Sequence, residues 1–319
     1  MLALLLTLLL TLPTARAETL EQSWSVLPPQ ELLHQGIERR LLGDRQGSRQ
    51  RFEALLERDE LPALATYHLA VNDEIEERYL EALQGYEAVI AGWPSDPLVK
   101  DARFRRAVVL EDLGLAKDAA RQVKQLERSE DFDEADRLAM ALVRGSAELQ
   151  AGKRRGGKRI EQALAALEGQ EALSWARARA RMALAEEELR QAARVEIVND
   201  KRARKRLVER VARLEAAMAE VTQIARLGEP EYALNGLMAL GDAFMQLYDD
   251  LLASADPPGL SAEQLRIFRE ELVQSSDVVR VRAWRLYDEG VVLAARVQWQ
   301  GQVAQELLER RQAAAAAAP

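Results

Sequence analysis

Residues Gly152 to Arg159 carry the spacing of a phosphate-binding loop, with Gly152, Gly157 and Lys158 at the required intervals. The chemistry does not follow. Arg159 stands where a Ser or Thr hydroxyl should ligate magnesium, and no apolar strand precedes the glycines, so a Gly-rich turn between two helices is the better reading. Lys153 to Arg159 and Asp200 to Arg206 are basic clusters that could meet anionic headgroups or an acidic partner. The plainer reading is solvated helix faces, balanced by Glu186, Glu187 and Glu188. His34 and His68 are the only histidines, and they read as ordinary surface or packing residues. No HExxH, GxSxG or paired Ser–His signal is present. Cysteine is absent, which removes thiolate metal sites and disulfides. The net charge of -8 argues against nucleic-acid binding, which needs a basic excess to displace counterions. The expectation is a chain with no catalytic residues, no cofactor, no metal and no small-molecule substrate.

The elements that carry these residues are helical. Ala, Leu, Glu, Gln and Arg dominate, and all lose little freedom in a helix. Val279 to Ala283 alternates like a strand, but Val279, Ala283, Leu286, Leu293 and Val297 also share one helical face, and the longer pattern predicts a helix. Residues Leu2 to Leu12 form an apolar run too short to span a bilayer, followed by Pro13 and Ala15-Arg16-Ala17. Small residues flanking Arg16 suit signal peptidase, so residues 1–17 are expected to be a signal peptide cleaved after Ala17, and the chain is expected in the periplasm. Residues 18–28 read as a linker.

Residues 29–170 read as helical repeats. Leu69 and Ala70 fall where one helix approaches its hairpin partner; Ala82, Tyr86 and Val89 form the matching face, and Pro94 stops the second helix. Gly36, Gly43, Ser48 and Phe52 lie 34 residues ahead of the corresponding positions. Ala107, Leu110, Gly114, Ala119 and Val123 make a third unit; Gly145 and Gly152 open a fourth, with Gly157 and Glu161 at its second-helix positions. This pattern resembles the tetratricopeptide repeat, which places small residues at the two helix contacts, an aromatic one turn later and a proline at the end. The resemblance implies an all-α, TPR-like α-solenoid of antiparallel helix hairpins. It also implies a concave groove that grips a partner segment, which in this register is lined by Tyr67, Val71, Glu74, Phe104, Val108 and Glu111. The alternative is a register one residue off, with Tyr67 and Phe104 filling the inter-helix core.

Residues 171–312 read as a helical C-terminal domain with long helices. Leu207, Val211, Leu214, Met218 and Val221 form a stripe packed on a partner helix, ended by Gly228 and Pro230. Ser261 with Gln264 reads as a capping box. The last helix is expected to reach about Arg311, with 313–319 a disordered tail. Trp284 and Trp299 read as core. Residues 233–252, 257–272 and 283–294, with Trp299 after them, resemble the C-terminal region of envelope TPR proteins of myxobacteria and related bacteria, some tied to gliding motility. This chain departs from that pattern at Ser275-Ser276-Asp277 and Ala255-Asp256. The resemblance implies a non-catalytic scaffold or adaptor whose partners are proteins of an envelope complex, with only peripheral membrane association. The alternatives are a self-associating structural subunit and a peptidoglycan-active enzyme.

Overall fold

The computed structural model describes residues 27–128, 132–169, 172–254, 256–299 and 301–317. The signal-peptide segment and most of the N-terminal linker lie outside the described residues. The described residues form thirteen α-helices and no strand. Two compact units divide the chain, Met1–Ser129 and Glu130–Pro319.

The first unit is three hairpins: α1 (Pro29–Leu41) with α2 (Arg45–Glu57), α3 (Pro62–Ile75) with α4 (Tyr79–Gly92), and α5 (Leu98–Asp112) with α6 (Ala116–Leu126). Proline opens α1 and α3, where its missing N–H costs nothing and its fixed φ suits the first turn. Each hairpin turns on a residue in the left-handed region: Gly43 (φ 80°), Glu77 (φ 59°) and Gly114 (φ 76°). In each, the next residue's N–H reaches back to a carbonyl of the first helix, Asp44 to Arg39, Arg78 to Asp73 and Leu115 to Leu110. The helices then meet through small residues. A Cβ on Gly36 would lie 2.5 Å from the Phe52 ring, and one on Gly85 would lie 2.6 Å from the Ala70 Cβ. Successive hairpins stack because α2 packs on α3 and α4 on α5. That stacking buries Leu32, Phe52, Leu55 and Ala65 in one cluster, and Ala82, Tyr86, Val89 and Val109 in the next. Burial stabilises each large apolar side chain by roughly 1.5–3 kcal/mol.

The second unit comprises α7 (Glu134–Gln150), α8 (Arg155–Ala166), α9 (Ser174–Ala193), α10 (Ala203–Arg226), α11 (Pro230–Leu252), α12 (Ala262–Arg296) and α13 (Gln302–Ala316). The hairpin α7–α8 belongs to this unit because α7 packs on α9, against the boundary at 170 read from the sequence. Its second-helix contacts are Gly156 and Ile160, not Gly157 and Glu161. The reason is local. The turn residue Gly152 (φ 77°) stands four residues before the contact, whereas Gly43, Glu77 and Gly114 stand five residues before Ser48, Ala82 and Ala119.

Val279 to Ala283 lies inside α12, as the helical period predicts. Ser261 and Gln264 form the capping box at its start. Helix α12 stops at Arg296 and the chain reverses through Gln298 (φ 54°), so the last helix is separate. Helix α13 continues to Ala316, into the stretch read as a tail, because Ala314 is buried and its carbonyl accepts from the Arg280 guanidinium at 2.6 Å. Trp284 and Trp299 are half-buried against the core of α9–α13. Within that core an added Cβ on Gly236 would sit 2.9 Å from Val221, and one on Gly290 2.8 Å from Leu307. Among the described residues no helix is long and apolar enough to cross a membrane.

The register in α7–α8 is directly testable. A Cβ on Gly156 would lie 2.6 Å from the Leu149 backbone nitrogen and well within van der Waals contact of the Gly145 carbonyl oxygen, whereas one on Gly157 meets only side-chain ends at 3.8 Å. In urea melts Gly156→Ala is expected to cost about 2 kcal/mol or more through backbone displacement, while Gly157→Ala is neutral or stabilising by about 0.5 kcal/mol.

Candidate functional site

The first helices of the N-terminal hairpins, α1, α3 and α5, share one layer, and its side chains repeat in register. Tyr67 and Phe104 follow Leu33, Val71 and Val108 follow Ile37, and Glu74 and Glu111 follow Arg40, each at the spacing that relates the three hairpins. Tyr67, Val71, Val108 and Glu111 are buried, and Glu74 and Phe104 are partly exposed. The Tyr67 ring packs 5.9 Å from that of Tyr86, and its hydroxyl donates to Asp101 across the gap from α3 to α5. Tyr67 is therefore held in the packed layer by a ring on one side and a carboxylate on the other.

Polar groups from all three helices converge beside it. The Glu74 carboxylate accepts from the Tyr86 hydroxyl and from Arg105 Nη1 at 3.3 Å. Asp101 lies 3.7 Å from Arg105 Nε. Burial disfavours the Arg105 charge, but Glu74, Tyr86 and Asp101 outweigh it and hold the guanidinium protonated. Burial, then the Glu74 charge, pushes the Tyr86 hydroxyl far above the usual phenol range.

The neighbouring Arg40 is different. Its Nη1 lies 3.3 Å from His68 Nδ1, and among the described residues it has no carboxylate partner. Burial lowers its pKa, and the Arg105 charge lowers it further. A guanidinium only donates, so His68 Nδ1 is the acceptor and the ring proton sits on Nε2. His68 stacks on Phe52 at 5.1 Å and meets the edge of Tyr67 at 5.2 Å. Burial, then Arg40 and Arg105, pushes the imidazole down to about 4. The contacts of His68 are thus two rings and a cation, an arrangement that keeps it neutral and does not pair it with a nucleophile. His34 is exposed on α1. Among the described residues no three His, Asp or Glu side chains are placed to hold a metal ion.

His68 packs against rings, as an ordinary packing residue does, whereas Arg40 and Arg105 were not singled out in the sequence. The signal was present in the repeat: Arg40 takes the position held by Glu74 and Glu111, and Arg105 the position held by His34 and His68. A charge reversal at one repeat-equivalent position marks the place where the layer is not self-compensated.

The two basic clusters are built into the fold of the second unit. Glu148 is 1% exposed, and Arg144, Arg155 and Arg159 approach its carboxylate at 3.2, 3.1 and 3.4 Å. Burial alone would raise its pKa; the three guanidiniums, Arg159 foremost, bring it below the usual range. The stretch spaced like a phosphate loop therefore spends two of its arginines on an internal carboxylate. In the other cluster Arg206 donates to Val198 O and to Asp200, closing the turn before α10. Glu187 and Glu188 pair with Arg190 and Arg213.

No family model and no curated protein matches the chain. Among solved structures, a tetratricopeptide repeat protein from Parabacteroides merdae is similar at 16% identity over 89% of this chain and 98% of its own, with a TM-score of 0.40. A TPR repeat protein from Bacteroides fragilis is similar at 12% identity over 80% of this chain and 98% of its own, with a TM-score of 0.36.

His68 makes stability pH-dependent. Its folded pKa of about 4 lies below the ~6.5 of an unfolded histidine, so acid favours the unfolded state. The neutral ring's contribution is complete above about pH 6.5 and is lost as pH falls toward 4, by about 2–3 kcal/mol. Urea melts of wild type and His68→Gln across pH 7.5 to 4 should show the variant's stability falling less over that window.

Proposed function

We propose that the chain is a non-catalytic scaffold that binds a segment of a partner protein along the α1–α3–α5 layer. Arg40 carries this reading. A half-buried guanidinium that meets only a neutral imidazole keeps most of its five N–H donors for an incoming acceptor. The complementary ligand is a segment with an acidic side chain at that point, flanked by apolar residues that lie against Leu33 and Ile37. A charge-assisted bond of this kind contributes about 1.5–3 kcal/mol. Glu74 on α3 and Phe104 on α5, the partly exposed members of the set, would extend the same stripe.

The compartment is part of the proposal. Residues Leu2 to Ala17 support export, and the C-terminal resemblance supports a place in a complex of the bacterial envelope, touching the membrane only through its partners. The partner is then a component of that complex.

Two measurements test this. A photo-reactive residue in place of the exposed Leu41, beside Arg40, should crosslink a specific protein in the native cell. Arg40→Glu should reduce that adduct at least tenfold without lowering the melting temperature by more than a few degrees. No specific adduct, or one indifferent to Arg40→Glu, removes the proposal. For export, the protein recovered from the native cell should begin at Glu18; a mature chain that retains residues 1–17 in the cytoplasm rules it out.

A further inference from the structure

Helices α10 and α12 each pack on α11 but scarcely on each other, which leaves a trough above the middle helix. Its volume is about 680 Å³, within the range of small-ligand sites. Met218 and Val221 line it from α10, Leu237 and Leu240 from α11, and Leu286 and Leu293 from α12. The apolar lining extends to the rim, where Val278 is 69% exposed.

One end is cationic. Arg282 on α12 lies 5.1 Å from the centre of the Phe244 ring, with its Nη2 3.5 Å from Met218 Sδ on α10. Arg285 follows one turn along the same wall. Other arginines of α10 and α13 have carboxylates: Arg210 meets Asp250 at 2.5 Å, Arg213 meets Glu188 at 2.9 Å, and Arg310 meets Asp242 at 2.8 Å. Among the described residues neither Arg282 nor Arg285 forms an ion pair. A ring face and a thioether hold Arg282 in place without neutralising it.

We propose that this trough binds the anion of a long-chain carboxylic acid, with the alkyl chain along Leu237, Leu240 and Leu293 and the carboxylate on Arg282. The occupant follows from shape and charge. The Arg282–Met218 contact joins the two walls, so the gap is narrower than the ~10 Å that a docking helix occupies, and a single alkyl chain fits where a helix does not. The fork of a guanidinium matches a carboxylate through two parallel hydrogen bonds. Glu289, on the same wall, repels a dianionic headgroup such as a phosphate monoester more strongly than a singly charged carboxylate. This site is independent of the protein-binding layer of the first unit, and either reading can fail without the other.

The test compares laurate with dodecyltrimethylammonium, each below its micellar concentration, by isothermal titration calorimetry on the full chain. Laurate should bind saturably at one site with a micromolar Kd, and the cation should bind at least tenfold more weakly. Arg282→Gln should weaken laurate tenfold or more, and Val281→Trp, at a residue of α12 that also lines the trough, should fill it and abolish binding; thermal melts confirm that both variants fold. Equal affinity for the two amphiphiles overturns the proposal on the unmodified chain alone. So does the absence of saturable laurate binding, or laurate affinity unchanged in folded Arg282→Gln.

Discussion

Close approach of antiparallel helices through small residues is the constraint on which the rest of this structure depends. Where Gly36 meets Phe52, or Gly85 meets Ala70, the two helices come near enough for a large side chain one turn away to be fully enclosed. The enclosure of Phe52, Tyr86, Val123 and Ile160 follows from that distance. A single methylene at such a contact pushes the pair apart and loosens the layer packed around it, because protein interiors hold few gaps to absorb the change. The same device recurs in longer form at Gly236, Gly241 and Gly290, where α11 lies against α10 and α12, and α12 against α13.

This constraint also explains why polar groups collect on the first-helix layer. The second helices fill the space between hairpins with apolar side chains, so ionisable residues of α1, α3 and α5 are left to satisfy one another. Glu74, Asp101 and Arg105 do so, joined by the Tyr86 hydroxyl from α4. Arg40 does not, and its nearest nitrogen acceptor is a histidine that burial keeps uncharged. A buried polar group that meets only part of its bonding capacity is a place where a ligand gains more than it would on a wet surface.

Much of the helical architecture was legible in the sequence, because small contact residues and turn glycines leave a periodic trace. Ala70, Ala82, Tyr86, Ala107, Ala119 and Val123 all occupy the contacts that the period assigns. The period misled in the fourth hairpin, where one residue fewer separates the turn from the contact, a change that neighbouring glycines at 156 and 157 conceal. The break after Arg296 was invisible because Gln298, not glycine, takes the left-handed conformation. The residues around Arg40 were harder still. Arginine is common on every helix of this chain, and only its position relative to Glu74 and Glu111 in the repeat sets this one apart. The unpaired Arg282 depends on which carboxylates lie across the trough, information that no local pattern carries.

Helix α3 contributes Ala65 and Leu69 to one apolar cluster and Tyr67, Ala70 and Val71 to the next. It is therefore a shared plate between two cores. Losing the α1–α2 hairpin would strip one face of α3 and leave its other face dry, so opening in steps the size of one hairpin is expected. A chain organised in this way can also gain or lose a hairpin by gene duplication or deletion and still find a ready-made apolar face on which to lay the new pair.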